Sequence, residues 1–179
     1  MALELIKGKN LLVFFRERSK HATEDGAKLR FQTEHSVAMS MENEAIITKD
    51  GVINNISEGE NTADITSLAY IDDEATMTTW ETLFDCYKRG VLMEMWEVDV
   101  TKVTPENLNI KPYYYQGYFT EFEKSAPADG QVELSYSFAI NGVGVKGDDV
   151  LSAAQVDAVK NALYEYETIL ATEETEPGV

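Results

Sequence analysis

Apolar and polar residues alternate with a period of two along most of this chain. From Leu29 to Met41, the residues Leu29, Phe31, Val37, Met39 and Met41 fall on one face, with Thr33 and His35 between them. Arg30, Gln32, Glu34, Ser36, Ala38, Ser40 and Glu42 fall on the other, so the pattern predicts one half-buried strand. Gln131 to Asn141 repeats it, with Val132, Leu134, Tyr136, Phe138 and Ile140 opposite Glu133, Ser135, Ser137 and Ala139. Tyr113–Glu123 is apolar on both faces and predicts a strand with something packed on each side. The Ser125-Ala-Pro-Ala-Asp-Gly130 segment joins these last two strands as a hairpin. Asn10–Phe15 predicts a buried strand, His21–Gly26 a turn, and Ala63–Ile71 and Val91–Val100 two more strands. Residues 48–62 interrupt the alternation with Asp50-Gly51 and Asn54-Asn55. They predict a long connection without regular structure, unordered in a free subunit.

Two segments carry the helical period instead. Thr78-Thr-Trp-Glu81 has the form of a capping box, and Trp80, Leu83, Phe84 and Tyr87 then make one apolar stripe. Lys88 and Arg89 in the last turn and Gly90 after it predict the stop. Ser152-Ala-Ala-Gln155 predicts a second helix start, followed by Val156, Val159, Leu163, Tyr166 and Leu170 at heptad-like spacing. Glu173–Val179 reads as an acidic tail that frays. The class is therefore mainly β (α+β), with one embedded and one C-terminal helix.

Charge sharpens this picture. The 179 residues carry a net charge of −17, distributed unevenly. Residues 1–30 hold seven basic side chains, among them Lys7, Lys9, Arg16 and Arg18, against four acidic ones. The excess of carboxylates beyond them serves solubility, or else lets a basic N-terminal segment dock on an acidic neighbouring copy. It also argues against affinity for DNA, because phosphate binding needs Lys and Arg, while leaving open a passage through which DNA slides. No apolar run reaches the ~20 residues that span a bilayer, and the N-terminus has no secretory pattern, so a cytoplasmic origin is expected.

Catalytic and metal-binding patterns are missing from the sequence. Cys86 is the one cysteine and reads as a packing residue; His35, on an apolar strand face, reads as a satisfied or interface histidine. Glu121 with Glu123, and Glu42 with Glu44 and Asp50, are carboxylate groupings of the kind chance produces among 32 acidic residues. No enzyme activity, cofactor or metal is expected. The small polar faces Ser36-x-Ala38-x-Ser40 and Ser135-x-Ser137-x-Ala139 either meet solvent or pack on a neighbour.

Four segments carry a resemblance: Gly8–Phe15, Phe31–Val37, Thr48–Gly51 and, most specific, Gly117-Tyr-Phe-Thr-Glu-Phe followed by Ala126-Pro-Ala-Asp-Gly130. From about residue 6 to about residue 155 the chain resembles the major tail protein family of long non-contractile-tailed phages of Gram-positive bacteria. The resemblance implies a tail-tube fold, two packed antiparallel sheets with a flanking helix. Residues 1–151 would form this β domain, and 152–179 a C-terminal helix and tail. It implies hexameric rings that stack into the tube through which DNA is ejected, in the virion tail after synthesis in the host cytoplasm. The partners implied are further copies of itself, the tape measure protein, the tail terminator and distal tail proteins, and DNA in transit without specific binding. Glu34, Glu121 and Glu133 are the lumen candidates. Lys49, Asp50, Gly51, Val52, Ile53, Asn54, Asn55 and Ile56 are the ring-stacking candidates, with Lys7, Arg16 and Arg18 as a second contact. Two alternatives stay open: a tube of a phage-derived toxin or gene-transfer particle, and a monomeric ligand-binding β-sandwich, which would expose Trp80 or Trp96 in a groove.

Overall fold

The computed structural model describes residues 3–160. Its strands are β1 (Leu11–Glu17), β2 (Ala27–Lys28), β3 (Gln32–Ala38), β4 (Met41–Thr48), β5 (Gly51–Glu58) and β6 (Asn61–Leu68). After helix α1 (Thr79–Arg89) come β7 (Met93–Asp99), β8 (Asn109–Ile110), β9 (Tyr113–Ser125), β10 (Glu133–Lys146), β11 (Asp149–Val150) and helix α2 (Ala153–Lys160). Seven strands form one antiparallel sheet in the order β2-β1-β7-β9-β10-β6-β3.

That sheet curls until its ends face each other, so the two expected layers are one sheet folded over. Gln32 at the start of β3 closes the fold. Its side-chain oxygen accepts from the Val13 N–H at 3.0 Å and its amide donates to the Val13 carbonyl at 3.0 Å, in place of a missing ladder rung. His35 of β3 also meets Glu97 of β7 at 3.0 Å, a contact across the curl between strands far apart in the sheet order. The bend runs through β9 and β10, whose pairing shifts register at Ser137/Phe138 and Asn141/Val145. Gly117 sits at the crossing, where a Cβ would overlap the Ala139 carbonyl. Between the layers lies the main core, built from Val13, Phe15, Leu29, Ile65, Met93, Met95, Phe119, Leu134, Tyr136 and Phe138.

Two expectations about strands are corrected. The alternation from Leu29 to Met41 is not one strand, because Phe31 takes a left-handed backbone conformation (φ 53°) and turns the chain. The chain thus serves two sheet edges on either side of this turn: β2, which ends at Lys28, pairs with β1, and β3, which takes up Gln32–Ala38 of the alternating run, pairs with β6. Met39 and Met41 are exposed because the chain leaves the domain after Ala38. Residues 48–62 are likewise not an irregular connection. Within Met41–Glu58, β4 and β5 pair in unbroken register from Met41↔Glu58 to Thr48↔Gly51 across the two-residue turn Lys49-Asp50. Asn61 and Thr62 already belong to β6. The hairpin buries neither face, so nothing imposed an alternating sequence on it and its strands went unrecognised.

Both helix starts follow the sequence. The Thr78 N–H donates to Glu81 at 2.8 Å while the Glu81 N–H donates to Thr78 Oγ1 at 3.4 Å, and Gly90 ends α1 in the left-handed region. Leu83 and Cys86 are buried, Phe84 and Tyr87 pack on Phe122, and burial pushes the Cys86 thiol above its ordinary value. Ser152 and Gln155 cap α2 reciprocally. Leu151 and Val156 join Phe14, Val98, Val103 and Ile110 in a second cluster on the outer side of β1 and β7. Gln155 donates to the Gly26 carbonyl at 2.8 Å, fixing the helix start to the domain. Leu163, Tyr166, Leu170 and the acidic tail lie outside the described residues.

Candidate assembly surfaces

The outer face of β3-β6-β10-β9 is bare. Across the strands, Glu34, Thr66, Ser135 and Glu123 form one row; Ser36, Asp64, Ser137 and Glu121 form the next; Ala38, Thr62, Ala139 and Tyr118 form a third. Glu133 stands one row beyond the first, between Leu68 and Ser125. The structure therefore brings Glu34, Glu121 and Glu133 onto one face and adds Asp64 and Glu123, which the sequence reading missed. Asp64 accepts from Ser137 Oγ at 2.8 Å, and Thr33 and Thr66 hydroxyls meet at 2.6 Å. These rows hold carboxylates and small hydroxyls with no Lys or Arg, a surface that repels phosphate at any ionic strength where charge is felt. Asp64 was recoverable from sequence only by knowing that β6 pairs with β10, because Ala63–Ile71 alone does not say which face is covered.

The second surface is the β4–β5 hairpin. It projects between the end of β3 and the start of β6 as a separate two-stranded sheet. Ile46 pairs with Ile53 and Ile47 with Val52, and all four are exposed, with Ile47 at 85% and Val52 at 61%. Ile56, Met41 and Met39 extend the apolar surface toward its base. The stacking candidates Lys49–Ile56 are thus its turn and second strand, while Ile46 and Ile47 on the first strand were missed. The turn is set by Thr48, whose Oγ1 donates to the Gly51 carbonyl at 2.8 Å and accepts from the Asp50 N–H at 3.2 Å. Gly51, at φ 136°, takes a conformation that side chains resist.

The basic N-terminal candidates separate. Lys7 is exposed in the irregular segment before β1, next to exposed Leu3, Leu5 and Ile6. Arg16 and Arg18 turn instead onto Glu94 of β7, at 2.7 Å and 3.1 Å, and Tyr114 donates to the same carboxylate at 2.6 Å. Glu94 is 1% exposed. Burial pushes its carboxyl up, but hydrogen bonds from Arg16 and Tyr114 and the two guanidinium charges outweigh that and hold it below its ordinary value. Both arginines serve this internal network, which composition alone could not reveal.

Trp96 is covered by the Arg16 guanidinium, 5.0 Å from its ring, and by Tyr114. Trp80 packs on the domain through α1 and donates to the Tyr70 carbonyl at 2.9 Å, yet it also forms one wall of an open apolar groove. Among the described residues no three His, Cys, Asp or Glu side chains cluster as a metal site, and no helix is long and apolar enough to cross a membrane.

Residues 5–146 match the family described as phage tail tube protein. The chain belongs to that family. A protein of Staphylococcus phage phiMR25 named for the tail is 26% identical over 158 residues, spanning 87% of this chain and 78% of the relative. In fold, this tail tube protein is similar to the subunit in the SPP1 tail tube, with a TM-score of 0.69 at 17% identity over 97% of this chain and 98% of that one. It is also similar to a chain in the tail of a gene transfer agent particle, described with C6 symmetry. There the TM-score is 0.53 at 11% identity over 82% of this chain and 98% of the other. The mainly β architecture, a curled antiparallel sheet with helices, is thus a tail-tube fold.

Proposed function

We propose that copies of this chain close into hexameric rings and that the rings stack into a tail tube, a conduit for DNA ejection. The β domain to residue 151 forms the wall, and α2, packed beside Phe14 and Val98 through Val156, lies on its outside. The observation that carries this reading is the β4–β5 hairpin. A lone two-stranded hairpin is at best marginally stable in water. This one holds four large aliphatic side chains in the solvent, together with Ile56 and Met41. Burial against a neighbouring copy removes that surface from water, and a contact between unlike surfaces of identical subunits repeats without end unless a rotation closes it. The hairpin therefore stacks ring on ring, with Lys7 as an auxiliary contact and Arg18 available at the surface.

The bare acidic face lines the bore. Glu34, Asp64, Glu121, Glu123 and Glu133 keep DNA in transit from adhering, and small Ser, Thr and Ala side chains keep the passage smooth. Among the described residues the outer edge of β3 has no partner strand. Pairing it across a ring joint satisfies its open backbone groups. In the assembled virion tail, the tape measure protein fills this bore, and terminator and distal tail proteins cover its ends; subunits wait in the host cytoplasm beforehand.

Light scattering at rising protein concentration, followed by electron microscopy, tests the reading. Tubes are expected from the native chain, and loss of tubes from Ile47→Glu with folding intact. Native-like tubes from that variant would sink the stacking role. Tubes carrying Asp64→Lys and Glu121→Lys are expected to retain DNA at low salt and release it as salt rises.

A further inference from the structure

The hairpin leaves the sheet where β3 ends and β6 begins. The opposite end of the same strands holds an apolar groove of about 620 Å³, lined by Phe31, Leu68, Tyr70, Ile71, Trp80 and Val132. The register fixes this polarity: Ala38 pairs with Thr62 at the hairpin end, while Gln32 pairs with Ser67 and Leu68 with Glu133 at the groove end. Eight residues of β6 separate the two, roughly 25 Å at the usual rise of a strand. A convex apolar element thus projects from one pole of the subunit and a concave one opens at the other.

Three observations commit the groove to one occupant. Ile71 on its rim is 89% exposed, and its other apolar walls are half-buried, so no described residue fills the groove. Its wall includes Phe31, the one non-glycine residue with positive φ among the described residues, its ring set edge-on to Tyr70 at 5.2 Å. A bulky residue held in that conformation marks a place where local backbone preference has yielded to another requirement. Charge also agrees. The lining contains one cation, Lys124, and no carboxylate, while the hairpin carries Glu42, Glu44, Asp50 and Glu58 against Lys49.

We propose that this groove is the receptor for the β4–β5 hairpin of a second copy, seated with Ile47 and Val52 against Phe31, Tyr70 and Ile71 and with its carboxylates toward Lys124. The inference rests on the stacking role given to the hairpin. It also sets a direction: each subunit offers a hairpin at one end and a socket at the other, so growth is polar and every junction is the same.

The test uses the full chain and two variants altered at exposed positions, Ile47→Glu in the hairpin and Ile71→Glu in the socket. Thermal melting first confirms that both fold, and Lys124→Glu serves as a second socket variant. Each variant alone is expected to lose tubes. Mixed in equal amounts, the intact hairpin of one and the intact socket of the other join once and stop, giving a species of twice the mass in sedimentation. Native-like tubes from Ile71→Glu and Lys124→Glu, with Ile47→Glu still unable to assemble, would overturn the socket and leave the stacking role standing; a groove that holds a small ligand gives that result. Tubes from Ile47→Glu would remove both. Loss of tubes from both variants with no joined species in the mixture would also overturn the pairing.

Discussion

The two halves of the curled sheet share strands and a core but treat their outer faces in opposite ways. The half made by β2, β1, β7 and the start of β9 is covered on both sides: the main core lies within, and Phe14, Val98, Leu151 and Val156 form a second cluster outside. The half made by β3, β6, β10 and the end of β9 is covered on one side only, and its other face is acidic. A strand covered twice must be apolar almost throughout, whereas a strand covered once alternates. Leu11–Phe15 is the first kind and Glu133–Ile140 the second, and the difference shows what each outer face meets. The first meets its own chain, while the second is the face proposed to line the bore.

The sharpest way to test this contrast is within one strand of the bare half. Phe138 is fully buried and touches Phe15 and Phe119 at ring distances of 6.1 Å and 5.3 Å. Phe138→Ala is expected to cost about 3–5 kcal/mol in denaturant unfolding. Ser135→Ala, three residues earlier on the opposite face, is expected to stay within about 0.5 kcal/mol. Comparable losses from the two would mean that the acidic face is packed within the subunit and does not await a bore.

The covered half makes a different prediction because its outer face buries charge. Removing Glu94 leaves the Arg16 guanidinium, itself largely buried, without its carboxylate and with only the Glu24 carbonyl as acceptor. Glu94→Ala is expected to cost about 3 kcal/mol, near the lower end for a broken buried pair because Arg18 retains access to water. Removing the partners as well, with Arg16→Met and Glu94→Leu, is expected to restore much of the loss. A neutral Glu94→Ala by thermal melting would show that the arginines are free to serve as an intersubunit contact.

How much of this was legible follows from what each segment buries. Gln131–Asn141 declared its strand because one face is core, and Thr78–Gly90 declared its helix because both ends carry local hydrogen-bond chemistry. The family resemblance ran through Gly117–Gly130, whose first residue lies too close to the Ala139 carbonyl for any side chain. The hairpin escaped notice because neither of its faces is buried among the described residues, so no core imposed an alternating pattern on it. The Leu29–Met41 run was misread as one strand because a left-handed Phe31 has no sequence signature. Glu34, Glu121 and Glu133 could be placed on strand faces from alternation alone. Asp64 and the use of Arg16 and Arg18 required strand pairing, which is long-range information, whereas Glu123 shares the face of Glu121 by the same alternation.

The smallest expected effect lies where α1 meets the covered half. Arg89, in the last turn of α1, donates to both oxygens of Glu17 on β1, at 3.2 Å and 2.8 Å, and this pairing with Ser19 holds the Glu17 carboxyl down at about 2. A carboxylate whose folded value lies below its unfolded one contributes stability above the unfolded value, near 4.5, and loses it as pH falls toward the folded one. The contribution should therefore be complete at neutral pH and fade between about 4.5 and 2. Arg89 is 43% exposed, so solvent screens the pair and the effect is modest. In melting curves across that range, Glu17→Gln should flatten the acid limb without changing its onset, and raised salt should do part of the same. If the native chain and Glu17→Gln lost stability in parallel from pH 4.5 down, the helix would be held on the sheet by Phe84, Tyr87 and Phe122 alone. The acid limb would then belong to the Glu94 network.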